Sequence, residues 1–170
     1  MTTAQRRFEW MVRALSADVY RYAYALCRNG ATAEDLVQET FTRAWRSFEQ
    51  LRDESKAKSW LLTTVRREHA RRYERFQPEV AELDPDELPG AREEDPDVAT
   101  LRRAIAALPL RYREVIALQV IGGYDGAELA EMLGVPRATV NTRLFRARQR
   151  LAEALAAEAS PARAGQRETR

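Results

Sequence analysis

Apolar positions recur at steps of three and four along most of this chain. Ala33, Leu36, Val37, Thr40, Phe41, Ala44, Trp45 and Phe48 follow that spacing, which lines one face of an amphipathic helix. Glu34, Asp35, Glu39, Arg43 and Arg46 fall on or beside the opposite face, and Thr32 with Asp35 three residues on offers a cap for its start. An earlier helix uses Val19, Tyr22, Ala23, Leu26 and Cys27 and stops near Asn29-Gly30, a favourable helix end. A third, opening near Ser59 and running to Phe76, buries Trp60, Leu61, Thr64 and Val65. Phe41 and Trp45 sit on the apolar stripe and are expected in the core.

A second helical block begins with Leu101, Ala104, Ile105 and Leu108. Pro109 then starts another helix, in which Val115, Ile116, Gln119 and Val120 continue the buried face until Gly122-Gly123. Asp125-Gly126-Ala127-Glu128 has capping-box spacing. Leu129, Ala130 and Leu133 back a short helix that Gly134 stops, and Pro136 opens a long helix with Val140, Leu144, Ala147, Leu151 and Leu155 inward. No segment alternates with period two, so the expected fold class is all-α.

Between the blocks, Gln77–Asp97 carries four prolines, and its nine acidic residues face one Arg92. Proline interrupts helices and like charges repel, so an extended, solvated linker is expected. Two small helical domains follow, at 1–76 and 98–158, joined by an acidic, Pro-rich linker at 77–97, with a flexible tail at 159–170. The formal net charge of +2 over 170 residues does not by itself mark a nucleic-acid binder; the segregation of charge does. The single Cys27 and single His69 provide neither an internal disulfide nor a zinc cluster, and Cys27 reads as a buried structural thiol. No phosphate-cradling glycine loop or nucleophile–base signature is present, so an enzyme is not expected, nor is a cofactor. The polar start, without an apolar signal core, and the lack of a bilayer-length apolar run point to a cytoplasmic protein without membrane insertion.

A short helix, a turn at Gly134-Val135-Pro136 and a longer helix make a helix-turn-helix plan. Pro136–Arg150 holds Arg137, Arg143, Arg146, Arg148 and Arg150 and no acid. Asn141, Thr142, Phe145 and Arg146 flank the stripe of Val140 and Leu144. Arginine grips phosphates or guanine edges, asparagine pairs with adenine, and apolar groups meet thymine methyls. An arginine-rich surface helix in an ordinary bundle has a similar pattern, and the all-positive charge is what favours DNA. Arg148 and Arg150 fall past the groove.

Gly123-Tyr124-Asp125-Gly126-Ala127-Glu128-Leu129-Ala130 through Ala147-Arg148, preceded by Leu108-Pro109-Leu110-Arg111-Tyr112-Arg113-Glu114-Val115, resembles the fourth region of extracytoplasmic-function (ECF) sigma factors. Ala33-Glu34-Asp35-Leu36-Val37-Gln38-Glu39-Thr40-Phe41, with Ala44-Trp45 and Ser59-Trp60-Leu61, resembles their second region. Two such motifs in order, a linker apart, are more specific than either alone. The resemblance implies a transcription-initiation factor whose partners are core RNA polymerase, through its β′ and β subunits, promoter DNA and an anti-sigma factor. It implies polymerase contacts at Asp35, Gln38, Glu39 and Arg43. Minus-ten contacts and strand opening are implied at Arg66, Arg67, His69, Arg71 and Arg72, with a flipped base held by the loop Phe48–Lys58, and with Tyr73 or Phe76 as stacking candidates beside a packing role. Minus-thirty-five contacts are implied at Arg137, Asn141, Thr142, Phe145 and Arg146. The linker threads a polymerase channel or serves only as a tether. Arg67 and Glu68 stand where an asparagine is common, Ala138 where glycine is common and Asp125 where serine is common. Two other classes fit parts of the chain: a duplex-binding repressor or activator, which leaves the first block idle, and a helical adaptor whose arginines only solubilise it.

Overall fold

The computed structural model describes residues 2–51, 53–75 and 95–164. The expected linker lies almost wholly outside the described residues, as do Phe76 and the last six residues. Seven helices are described: α1 (Thr3–Cys27), α2 (Gly30–Ser47), α3 (Ala57–Arg75), α4 (Pro96–Ala107), α5 (Leu110–Gly122), α6 (Gly126–Leu133) and α7 (Arg137–Ala164). Two short 3-10 turns, Phe48–Gln50 and Glu54–Lys56, connect α2 to α3. No strand occurs among the described residues.

The turn between α1 and α2 is tighter than the sequence suggests. Arg28, at φ 56°, closes α1 in the left-handed region, and its N–H donates to the Tyr24 carbonyl at 2.8 Å. Asn29 opens α2 at once: its Oδ1 accepts from the Thr32 N–H at 2.8 Å. Thr32, expected as the cap, therefore lies inside the helix, because an asparagine three residues earlier satisfies the same orphan donors. Asn29→Ala is expected to cost about 1 kcal/mol in urea unfolding, the usual value of such a cap.

α1, α2 and α3 pack around Val19, Tyr22, Ala23, Leu26, Ala33, Leu36, Ala44, Leu61, Leu62 and Val65, all buried. Trp45 departs from expectation, with 45% of its surface exposed. Phe8 of α1 explains this. Its ring stands edge-on to Trp45 at 5.0 Å and to Phe48 at 5.2 Å, with Phe41 at 6.4 Å. An aromatic cluster thus forms at the edge of the core around the buried Phe48, and Trp45 covers it.

α5 also departs from a one-faced reading. Arg113, Glu114, Val115, Ile116, Ala117 and Leu118 are all buried, while Val120 is 74% exposed. Six consecutive buried residues mean cover on every side of the helix. α5 packs on α7 in its own block and on α1 in the other, so one apolar cluster runs through both blocks. Asp95 caps α4, so Pro96 and Asp97, read as linker, form its first turn.

Candidate nucleic-acid interface

The helix-turn-helix is built from local rules. Asp125 Oδ1 accepts from the Ala127 and Glu128 N–H groups at 2.7 and 2.9 Å, and Glu128 Oε2 accepts from the Asp125 N–H at 2.8 Å. That reciprocal cap opens α6 and holds the Asp125 carboxyl below its ordinary range, through the Glu128 N–H first and the Ala127 N–H second. Gly134, at φ 65°, ends α6, and the Val135 N–H reaches back to the Ala130 carbonyl at 3.2 Å. A left-handed residue here favours glycine. Leu129 and Leu133 of α6 and Val140, Leu144 and Ala147 of α7 are buried together, fixing how α7 is presented.

With that stripe inward, Arg137, Asn141, Thr142, Phe145 and Arg146 all lie exposed on the other side of α7, and Phe145 keeps 66% of its surface. An exposed phenylalanine between arginines has no packing role here. A Cβ built on Gly126 would lie 3.1 Å from Asn141 Oδ1 and 3.7 Å from Arg137 Nε, so the start of α6 sits against these two side chains. Thr142 Oγ1 donates to the Ala138 carbonyl at 2.9 Å, and the residue stays exposed. Arg148 instead donates to Gln119 Oε1 at 2.8 Å, and Arg150 lies over the Tyr112 ring at 5.4 Å. Both are held on their own block, past the exposed set.

The basic residues of α3 are less free. Arg66 pairs with Glu114 of α5 at 2.7 Å, Arg71 with Glu68 at 3.6 Å, and Arg72 with Asp35 of α2 at 3.1 Å. Arg67 is exposed. Tyr73 is 54% exposed and tilts against His69, with ring centres 6.2 Å apart. On α2, Gln38 is exposed, and Arg43 lies within ion-pair distance of both Glu39, at 2.7 Å, and Glu68 of α3, at 2.9 Å. The ion pairs Asp35–Arg72 and Arg43–Glu68 therefore stitch the expected polymerase face of α2 to the expected DNA face of α3. Cys27 is half-buried, its thiol pointing at the Asn29 carbonyl 3.3 Å away, and burial pushes its pKa up. Tyr22 is buried beside Glu114; burial first and that carboxylate second raise its pKa well above the usual value. No group of residues fit to hold a metal ion occurs among the described residues.

His69 is held below its ordinary pKa, by burial first and by the Arg113 charge second. It is therefore neutral at pH 7 in the folded chain. The unfolded chain takes up a proton near pH 6.5 while the folded chain resists until a lower pH. Stability is thus lost as pH falls from 6.5 through the depressed folded value. His69→Gln is expected to unfold with a shallower dependence on pH between 5 and 7 than the parent chain, measured as the urea midpoint.

Sequence reasoning did not find Arg28, Lys58, Arg113 and Glu114 as a connected set. Arg113 and Glu114 lie in the motif that opens the second block, but neither periodicity nor charge patterning marks a buried ion in a helix. Arg113 reaches Ala106 and Leu108 nearby, but its other partners Ala25 and Leu26, and those of Arg28, Lys58 and Glu114, are distant in sequence and known only from the fold.

Comparison with known proteins adds the following. Residues 11–79 match the family model for sigma-70 region 2, and residues 99–151 match that for sigma-70 region 4. The ECF RNA polymerase sigma factor SigE of Mycolicibacterium smegmatis is 34% identical over 92% of this chain; the match spans 65% of that relative's length, just under two thirds. SigL of Mycobacterium tuberculosis is 36% identical over 79% of this chain and 82% of its own length. Among solved structures, the sigma factor RpoE in complex with the anti-sigma factor NepR from Bartonella quintana superposes with a TM-score of 0.72. It is 27% identical and covers 88% of this chain and 97% of that one. CnrH in complex with the cytosolic domain of CnrY superposes with a TM-score of 0.65 at 26% identity, over 90% of each chain.

Proposed function

Since the chain belongs to the sigma-70 family, in its extracytoplasmic-function group, we propose that it joins core RNA polymerase, recognises promoter DNA and promotes strand opening for transcription initiation. The observation that carries this is the exposed set Arg137, Asn141, Thr142, Phe145 and Arg146, presented on one side of α7 by a capped helix-turn-helix. A helix so presented fits the major groove, where these side-chain types read base edges. The working units are residues 1–76 and, with α4 capped by Asp95, 95–158, with the acidic stretch between them. The second unit reads the minus-thirty-five element. In the first unit, Asp35, Gln38, Glu39 and Arg43 meet the β′ subunit, and Arg66, Arg67, His69, Arg71 and Arg72 serve the minus-ten strand. The protein acts by binding rather than catalysis, inside the cell. No helix among the described residues is long and apolar enough to cross a membrane. An anti-sigma factor, the kind of partner named in the solved RpoE–NepR complex, is the partner that holds it inactive.

A duplex-binding regulator explains α7 but gives α2 and α3 no task, whereas the family match covers both blocks. The test is co-elution of the chain with bacterial core polymerase. The parent chain is expected to travel with core, Asp35→Arg/Glu39→Arg to lose at least tenfold in retention, and Arg146→Ala to be retained fully. A parent chain that elutes apart from core, without a bound inhibitor, contradicts the reading.

A further inference from the structure

α1, α4 and α5 line a cavity of about 430 Å³, within the span of about 300–1,000 Å³ typical of small-molecule sites. The contacts proposed above for polymerase and DNA lie on other helices, α2, α3 and α7. Part of the lining is apolar, from Ile105 of α4 and from Val120 and Ile121 of α5. Val120 is largely exposed, an apolar side chain that the fold leaves uncovered. The charged part of the lining is cationic, with Arg21, Arg28, Arg102 and Arg113 against one carboxylate, Asp18. Asp18 is already shared, by Arg21 at 3.2 Å and by Lys58 at 2.6 Å. Arg28 and Arg113 meet carbonyls instead. Both donate to the Ala106 carbonyl, at 3.3 and 3.2 Å, and neither is ion-paired with a carboxylate among the described residues. Two guanidinium groups thus converge on one neutral oxygen. The strain of that arrangement shows on Arg113, whose pKa is pushed down to about 10 by burial first and by the Arg28 charge second.

Cations crowded together without a counter-ion favour an anion placed among them. An apolar wall beside them favours burial of hydrocarbon. We propose that this cavity binds a small amphiphilic organic anion, with its carboxylate or phosphate head on Arg21 and Arg28 and its apolar body against Ile105, Val120 and Ile121. The guanidinium fork matches either head through paired N–H donors. The two heads share that chemistry, and the experiment separates them. A bare inorganic anion leaves the apolar wall in water, and a cationic amphiphile meets the arginines with the wrong charge. Neither is a good ligand for this lining. The site uses no residue assigned to polymerase or to DNA, so the proposal does not rest on the sigma-factor reading.

The experiment is isothermal titration calorimetry on the full chain with four probes below their micelle concentrations: octanoate, octyl phosphate, inorganic phosphate and octyltrimethylammonium. At least one octyl anion is expected to bind one per chain, about tenfold or more tighter than inorganic phosphate, since burying only two methylene groups supplies that factor. The tighter of the two octyl anions identifies the head. The octyl cation is expected to give no saturable binding. Arg21→Glu and Val120→Glu, each at an exposed side chain, are expected to weaken the octyl anion about fivefold or more, with far-ultraviolet circular dichroism unchanged. Arg13→Glu, the same charge reversal at an exposed position of α1 outside the cavity, is expected to bind like the parent. Saturable binding of neither octyl anion overturns the proposal. So does an octyl anion that binds no tighter than inorganic phosphate, or one that Arg13→Glu weakens as much as Arg21→Glu. None of these measurements needs polymerase or promoter, so their failure is distinct from failure of the sigma-factor reading.

Discussion

Alanine in place of Arg146 is expected to lower transcription from a responsive promoter by about 5- to 150-fold, the equivalent of about 1–3 kcal/mol for one bidentate base contact. Arg146 is exposed on α7, and its one hydrogen bond, to Gln149 Oε1, is long at 3.4 Å. Little is lost within the protein when it turns to DNA, so little stability is expected to change. Arg148, two residues on, is the contrast. It is held by Gln119 at 2.8 Å, and Arg148→Ala is expected to change promoter output less than threefold and equally across promoter sequences, as for a phosphate contact at most. Titrating both variants against one promoter and its minus-thirty-five mutants checks this. Arg146→Ala should flatten the discrimination at one base position, while Arg148→Ala leaves it intact.

Leu129→Ala is expected to destabilise the chain by about 2–5 kcal/mol, the range for deleting a fully buried leucine. Leu129 has no exposed surface and stands where α6 meets α7. α6 is only eight residues long, too short to hold by propensity, so its cap and its two buried leucines must keep it in place. Urea unfolding measures the loss. Val120→Ala, on the 74% exposed side of α5, should stay within about 0.5 kcal/mol of the parent. The pair separates burial from hydrophobicity as the source of stability, because both residues are apolar and both lie in helices of the same unit.

What the sequence discloses is mostly what is local. The stripe of Val140, Leu144 and Ala147 is a periodic pattern, and periodicity is what a helix with one buried face writes into a chain. The Asp125–Glu128 box and Gly134 are equally readable, since a cap or a left-handed turn is decided within four residues. The exposed set on α7 follows from those two facts together. Trp45 is where the pattern misleads: the stripe places it inward, but Phe8, a residue of the polar-looking start, supplies the ring it covers. α5 misleads in the opposite sense. Its buried Arg113 and Glu114 read as polar positions, because nothing in the local sequence reveals that carbonyls and a guanidinium from another unit will meet them. Contacts between residues roughly fifty to ninety positions apart are a property of the fold, and pattern reading within one helix cannot supply them.

The most direct test of the account is transcription in vitro by bacterial core polymerase on a library of genomic promoter fragments, with and without this chain. The account predicts discrete starts that depend on the chain, share upstream elements near minus ten and minus thirty-five, and fall sharply with Arg146→Ala. A pure, inhibitor-free chain that gives no new starts on fragments from its own genome would contradict it.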